Sequence, residues 1–122
     1  IPKDIASRVH AGREELTDAL GRVLLVCRQK EQNPVGRMES SGETLTISTD
    51  AGEIGKGSEE LAAEVTGGDI RVAINPGFLI DALKTLGGDQ VTLNWISEVN
   101  PVMLTSPRDP DFMYIVMPIR LD

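Results

Sequence analysis

Four places in the 122-residue chain hold side chains whose type could do chemistry. His10, the only histidine, could act as a general base or a metal ligand. Cys27, the only cysteine, could be a nucleophile. Asp109 and Asp111 flank Pro110 and could form an acid/base pair. Gly52, Gly55 and Gly57 beside Lys56 resemble a phosphate-binding loop. Each has a plainer role. His10 stands between Val9 and Ala11 in a short strand, which makes it a surface or partly packed residue. Cys27 continues the apolar stripe of a helix, where a small core residue belongs. The aspartates read as solvated turn residues. The glycine segment lacks Walker spacing and runs into Ser58, Glu59 and Glu60, which would repel phosphate; it reads as a hairpin. No set of residues has metal-ligand spacing, no cofactor is implied, and an enzymatic reading has no residues to rest on.

Composition narrows the classes further. The length suits one domain, residues 1–122, with a core of its own. Twelve basic and nineteen acidic residues give a net charge of −7, which argues against a surface built mainly for tight nucleic-acid binding, so any DNA contact must be local. A lone cysteine forms no internal disulfide, and no apolar run approaches the ~20 residues of a membrane span. The cytoplasm is the simplest compartment. Ile1 is not an initiator methionine, and the expectation is a chain processed or cut from something longer.

The elements that would position any site read twice in the same order. Ser7 to Ala11 reads as a strand, Arg13 to Cys27 as a helix, and Val35 to Glu39, Thr44 to Asp50 and Glu59 to Val65 as strands. Ile70 to Ile74 then reads as a strand, Pro76 to Leu86 as a helix, and Val91 to Ser97, Val102 to Thr105 and Met113 to Ile119 as strands. Turn residues separate them at Ser41-Gly42, Gly67-Gly68, Gly87-Gly88 and Asn100-Pro101. Two βαβββ units predict an α+β domain with both helices on one face of antiparallel sheets.

The second helix carries its own punctuation: Asn75 as N-cap, Pro76 at the first helical position, and the Gly87-Gly88 pair as the stop. Leu79, Ala82, Leu83 and Leu86 fall on one stripe, with Lys84 pointing away. In the first helix the stripe is Leu16, Ala19, Leu20, Val23 and Cys27. Leu25 breaks that phase and falls on the face that should be solvated, with Val26 on the shoulder. It is covered either by a loop or by another subunit.

The chain stays apolar almost to its end, through Tyr114-Ile115-Val116-Met117-Pro118-Ile119-Arg120-Leu121-Asp122. Strand alternation puts Ile115, Met117, Ile119 and Leu121 on one face and Tyr114, Val116, Pro118 and Arg120 on the other. Pro118 cannot donate a ladder hydrogen bond, so the strand end is a sheet edge or an exit from the sheet. An apolar tail leaving an edge is a surface that something else could bind.

This ending resembles the Val-Met-Pro-hydrophobic-Arg-Leu terminus of the bacterial DNA polymerase III beta subunit, the sliding clamp. Ile74-Asn75-Pro76-Gly77-Phe78-Leu79-Ile80-Asp81-Ala82-Leu83 is similar to the family's Gly-Phe-Asn-x-x-Tyr-Leu-x-Asp-x-Leu segment. Arg13-Glu14-Glu15-Leu16, with Ala19-Leu20 and the apolar helix end, extends the likeness, which runs from about Ser7 onward. The resemblance implies the DNA-clamp fold, a non-catalytic role in replication, and the third of three similar domains. It also implies a homodimeric ring that slides on DNA without sequence preference, and a cytoplasmic place on the bacterial nucleoid. The isolated domain would be a monomer.

Residue roles follow from the same likeness. Short segments with a glutamine and bulky apolar residues, presented by polymerases, clamp loader, mismatch-repair and ligase proteins, would bind Ile115, Met117, Pro118, Ile119, Arg120 and Leu121, with Val99 and Pro101 from the preceding turn. Phe78 would stand at the rim, where the family often has tyrosine. Methionine and proline make an adaptable apolar floor suited to several partners. The family pocket also uses the middle domain, and Asp122 extends past the usual terminal leucine; both should weaken a peptide. Leu25 and Val26 would lie in the head-to-tail subunit junction, a heterologous contact that closes into a ring, with Glu59 and Glu60 pairing across it. Arg8, Arg13, Arg22 and Lys84, on or next to the helices with His10, would face the DNA backbone, diluted by Glu14, Glu15 and Asp18. A stand-alone peptide-binding adaptor of clamp-like fold, without a DNA role, is the alternative.

Overall fold

A computed structural model describes residues 5–28, 35–49 and 58–120, with the side chains of Cys27, Arg28 and Pro110 outside the description. The glycine segment with Lys56, and Leu121 and Asp122, therefore lie outside the described residues. The described elements are β1 (Ser7–Gly12), α1 (Arg13–Arg28), β2 (Gly36–Ser41), β3 (Thr44–Ser48), β4 (Ser58–Ala62), β5 (Glu64–Gly67), β6 (Arg71–Ile74), α2 (Pro76–Thr85), β7 (Gln90–Trp95), β8 (Val102–Ser106) and β9 (Asp109–Val116).

The strands form two antiparallel sheets, one of order β5-β1-β7-β8-β9 and one of order β4-β3-β2-β6. Each half therefore lends its first strand to the other half's sheet: β1 pairs with β7, and β6 with β2. That exchange fuses the two βαβββ units into one domain with a shared core. Leu16, Leu20, Met38, Ile47, Leu83, Leu93 and Leu104 are all fully buried in it, and truncating such a leucine to alanine typically costs about 2–5 kcal/mol.

The helices form where their local signals put them. Glu14 and Glu15 lie in the first turn of α1, where carboxylates suit the helix dipole. Asn75 caps α2, its Oδ1 accepting from the Gly77 N–H at 2.9 Å and the Phe78 N–H at 3.4 Å, with Pro76 opening the helix. The α2 stripe Leu79, Ala82, Leu83 and Leu86 is buried, as is Leu16, Ala19, Leu20 and Val23 of α1. Leu24 joins the latter at the core boundary. The Cys27 side chain lies outside the described residues.

Several strand ends shift by one or two residues, and the larger departures are at Glu59 to Val65 and at the two ends of the last strand. Glu59 to Val65 is not one strand: it breaks at Ala63, whose N–H donates to the Glu43 carbonyl at 2.9 Å, and the chain changes sheets from β4 to β5. The last strand is Asp109–Val116 rather than Met113 to Ile119. It begins early because an irregular register beside Thr105 and Ser106 draws Asp109 and Asp111 into the strand, not into a turn. It ends early because Pro118 has no N–H for a ladder, and the tail crosses instead to the other sheet, where the Ile119 N–H donates to the Ala73 carbonyl of β6 at 2.7 Å.

Candidate functional site

The tail, residues 117–120, has left the five-stranded sheet and lies against the edge of the four-stranded one. Up to that departure β9 alternates as expected: Val116 is buried and Tyr114 packs against the core, while Ile115 is 56% and Met117 67% exposed. Pro118 and Ile119 are half-buried and Arg120 is exposed.

The turn between β7 and β8 faces the tail. Ser97 shapes it: its Oγ bonds Asn100 Oδ1 at 2.6 Å and accepts the Val99 N–H at 3.2 Å. Val99 is left 54% exposed at the tip. A cavity of about 450 Å³ lies between turn and tail. Val99, Ile119 and Arg120 line it together with Arg37 and Glu39 of β2, Arg71, Val72 and Ala73 of β6, and Glu98. Of the expected partner-binding residues, three thus meet in one cavity. Ile115 and Met117 stand exposed along the strand that feeds the tail, whereas Phe78, Pro101 and Pro118 do not line it. Leu121 lies outside the described residues.

Several residues here carried no sequence signal. Arg71, Glu98 and Trp95 sit in segments read only as strand or turn. In the fold, Arg71 Nε donates to Glu98 Oε2 at 3.3 Å across the cavity wall, and the Trp95 indole N–H donates to the Arg71 carbonyl at 3.2 Å. A second cavity, lined by Glu39, Asp69, Arg71, Trp95 and Glu98 among others, continues the groove past that ion pair.

The basic residues expected near the helices fall in different places. Arg8 and His10 project from the face of the five-stranded sheet opposite the core, so they do not share the helices' surface; alternation from buried Val9 decides this. His10 Nδ1 is hydrogen-bonded to Thr92 Oγ1 at 2.9 Å. Arg13 is half-buried and spends its guanidinium on backbone, Nε donating to the Gly88 carbonyl at 2.6 Å and Nη1 to that of Leu83 at 3.1 Å. It thereby satisfies carbonyls at the C-terminal end of α2 that the helix leaves open. Arg22 Nε is bonded to Glu59 Oε1 at 2.8 Å. Lys84 is exposed in the last turn of α2. Among the described side chains, the exposed charges on the two helices are Glu14, Glu15, Asp18 and Asp81 against Arg22 and Lys84.

At the other end of α1, Leu25 is 65% exposed, as its helical phase requires, and Val26 is half-buried. Helix α1 packs against β4, the outer strand of its sheet, on which Glu60 is exposed. Among the described residues, an apolar helix end and the outer strand of the sheet thus lie side by side. Among the described residues no group of His, Cys, Asp or Glu could hold a metal ion, and no helix is long and apolar enough to cross a membrane.

Residues 1–120 match the family of the DNA polymerase III beta subunit, C-terminal domain, and the chain belongs to that family. It is 32% identical over 122 residues to the beta sliding clamp of Streptococcus pneumoniae, covering 98% of this chain and 32% of that protein. To the beta sliding clamp of Bacillus subtilis it is 26% identical over 121 residues, again 98% of this chain and 32% of the other. Among solved structures, the DNA polymerase III beta subunit of Thermotoga maritima matches with a TM-score of 0.91 at 25% identity, over 100% of this chain and 33% of that one. The DNA polymerase sliding clamp of Bacillus subtilis matches with a TM-score of 0.91 at 26% identity, over 100% and 32%. The chain spans about a third of the length of these relatives.

Proposed function

We propose that this chain is the C-terminal ring segment of a bacterial sliding clamp, a non-catalytic part that holds replication and repair proteins on DNA through a groove beside its tail. The observation that carries the reading is the convergence of Val99, Ile119 and Arg120 on one cavity, with Ile115 and Met117 exposed on the strand leading to it. Apolar side chains held open at a strand exit suit bulky apolar anchors of a short peptide, and the methionine adapts to anchors of different shape. Polymerases, clamp loader, mismatch-repair and ligase proteins are the partners in this reading, and the bacterial cytoplasm beside the nucleoid is the place.

The other end of the molecule supports a ring. Exposed Leu25 next to the outer strand β4 suits a head-to-tail junction between subunits of a homodimer, with Glu60 at its rim for orientation. The two helices would then face DNA. Among the described side chains of the helices, four exposed carboxylates stand against two exposed bases, a balance that gives little attraction to the backbone and suits a ring that slides.

A titration of the 122-residue chain with a peptide carrying one glutamine and two bulky apolar residues, followed by calorimetry or NMR, tests the groove. Saturation that weakens at least tenfold in Met117→Ala is the expected result. Absence of saturation at about 1 mM peptide, a binding free energy near −4 kcal/mol, would sink it. The junction is tested by size exclusion at rising concentration: the chain should run as a monomer with a concentration-dependent shift that Leu25→Ser removes, and an identical elution of both proteins would count against it.

A further inference from the structure

The cavity beside the tail is not the apolar slot that hydrophobic anchors alone would need. Arg37, Arg71 and Arg120 converge on it, opposed by Glu39 and Glu98, in a chain whose net charge is −7. Glu98 is already engaged by Arg71. Guanidinium groups are planar donors matched to carboxylates; Arg37 already holds a partner, so Arg71 and Arg120 are the donors this cavity presents to an acceptor.

The backbone of β6 adds to that wall. The Arg71 and Ala73 carbonyls accept from the Trp95 indole and the Ile119 amide, so both residues turn their peptide groups away from β2, toward the groove. In an antiparallel strand the N–H of a residue points to the same side as its C=O. The Arg71 N–H is therefore aimed at a segment lying beside this edge. The groove runs on past Arg71 and Glu98 into the second cavity, leaving room for chain beyond the anchors.

We infer that the arginine-lined cavity binds a carboxylate-bearing flank of the same partner peptide whose apolar anchors rest on the tail. The inference rests on the peptide-groove reading above. The Arg71–Glu98 pair acts as an exchangeable latch: both side chains are more than half exposed, 69% and 57%, so the bond between them is weak and a ligand carboxylate can take the place of Glu98. A nucleic-acid strand is the poorer occupant, because it has no aliphatic anchor to place against Val99 and Ile119, which line the same cavity.

The test uses peptides with identical anchors and either a neutral flank, three glutamates on the N-terminal side, or three glutamates on the C-terminal side, with a single-stranded oligonucleotide as a fourth ligand. Titrated at low salt, one acidic peptide should bind about fivefold more tightly than the neutral one, and the gain should shrink as salt is raised. In Arg71→Glu the ratio should fall to one or below, and a lysine flank should now be the favoured one. NMR of the unmodified chain gives a readout independent of the variant: Arg71 and Glu98 amide shifts should respond to the acidic peptide and not to the neutral one. Equal affinities for acidic and neutral peptides would overturn the flank assignment and leave the anchor groove standing. Failure of every peptide to bind would remove both together. Oligonucleotide that binds at Arg71 and displaces the acidic peptide would also overturn the inference.

Discussion

The stretch after β4 and the stretch after β9 do the same thing in the two halves of the molecule. Each leaves the outer strand of one sheet and crosses to the far edge of the other, β5 beside β1 and the tail beside β6. They differ in how much of the edge they close. Strand β5 runs in register with β1 from Glu64 opposite His10 to Gly67 opposite Ser7, whereas among the described residues the tail is tied to β6 by the Ile119-to-Ala73 backbone bond. The chemical reason is visible in the residues. Glu64 to Gly67 has an N–H at every position, whereas Pro118 removes one from the tail. The same architectural slot thus serves as closure in the first half and as an accessible groove in the second.

The largest expected effect is on the closed side. Gly67 sits at φ +94°, and a Cβ there would run into the Ala6 carbonyl oxygen. Gly67→Ala should therefore destabilise the chain by about 2–4 kcal/mol, through left-handed backbone strain plus a backbone clash that no side-chain rotation relieves. Urea denaturation followed by circular dichroism measures it. A cost under about 1 kcal/mol would mean that β5 is as loosely held as the tail, and the contrast between the halves would be lost.

Arg13 joins the halves and comes next. Its guanidinium, on the first residue of α1, reaches the carbonyls of Leu83 and Gly88 at the end of α2. Arg13→Ala should cost about 1–2 kcal/mol, since it leaves two carbonyls without their charged donor. Arg13→Lys should recover only part of this, because an ammonium lacks the forked geometry. If instead the substitution leaves stability unchanged and weakens DNA retention by an assembled ring, Arg13 is a DNA contact and not the brace described here.

What could be read in advance separates along the same line. Both helices, the buried stripes from Leu16 to Val23 and from Leu79 to Leu86, and the anomalous phase of Leu25 are local matters of 3.6-residue periodicity and capping, and they stand in the structure as read. Pro118 marks the strand end as a sheet edge or an exit but does not choose between them, and the strand read to Ile119 in fact stops at Val116. The split at Ala63 was not legible, since nothing in Glu59 to Val65 records that its two ends belong to different sheets. The same holds for the cavity: Arg37, Arg71 and Arg120 are far apart in sequence and meet only because β6 is exchanged into the sheet of β2. Arg13 and Arg8 looked alike as basic residues beside a helix, but one is folded back on carbonyls and the other faces away from the core.

On the open side the effects are smaller. Ile119→Pro deletes the N–H by which the described part of the tail is tied to β6, and the expected loss of stability is no more than about 1 kcal/mol. Its signature lies elsewhere: peptide affinity should fall by more than the stability change explains, because the groove wall formed by Ile119 and Arg120 loses its anchor. A stability loss as large as that of Gly67→Ala would show that the tail closes its edge as firmly as β5 does.

The smallest effect belongs to the ion pair that holds α1 against β4. Arg22 and Glu59 meet at 2.8 Å, but their side chains are 58% and 29% exposed. Solvent screens such a pair, and ordering two side chains offsets part of the attraction, so a double-mutant cycle of Arg22→Ala and Glu59→Ala should give a coupling near 0.5 kcal/mol or less, smaller still in high salt. The second half makes the corresponding tie without an ion pair: Asp109 Oδ2 on β9 accepts the Gly87 N–H at 3.3 Å, and Ser106 Oγ donates to the Gly87 carbonyl at 2.7 Å. If the halves are held by equivalent packing and differ only in their crossing segments, removing either tie should matter little to the fold. A coupling above about 2 kcal/mol for Arg22 and Glu59 would place a buried-type interaction at the outer strand of the first half. The asymmetry between the halves would then begin at β4, one strand before the chain changes sheets.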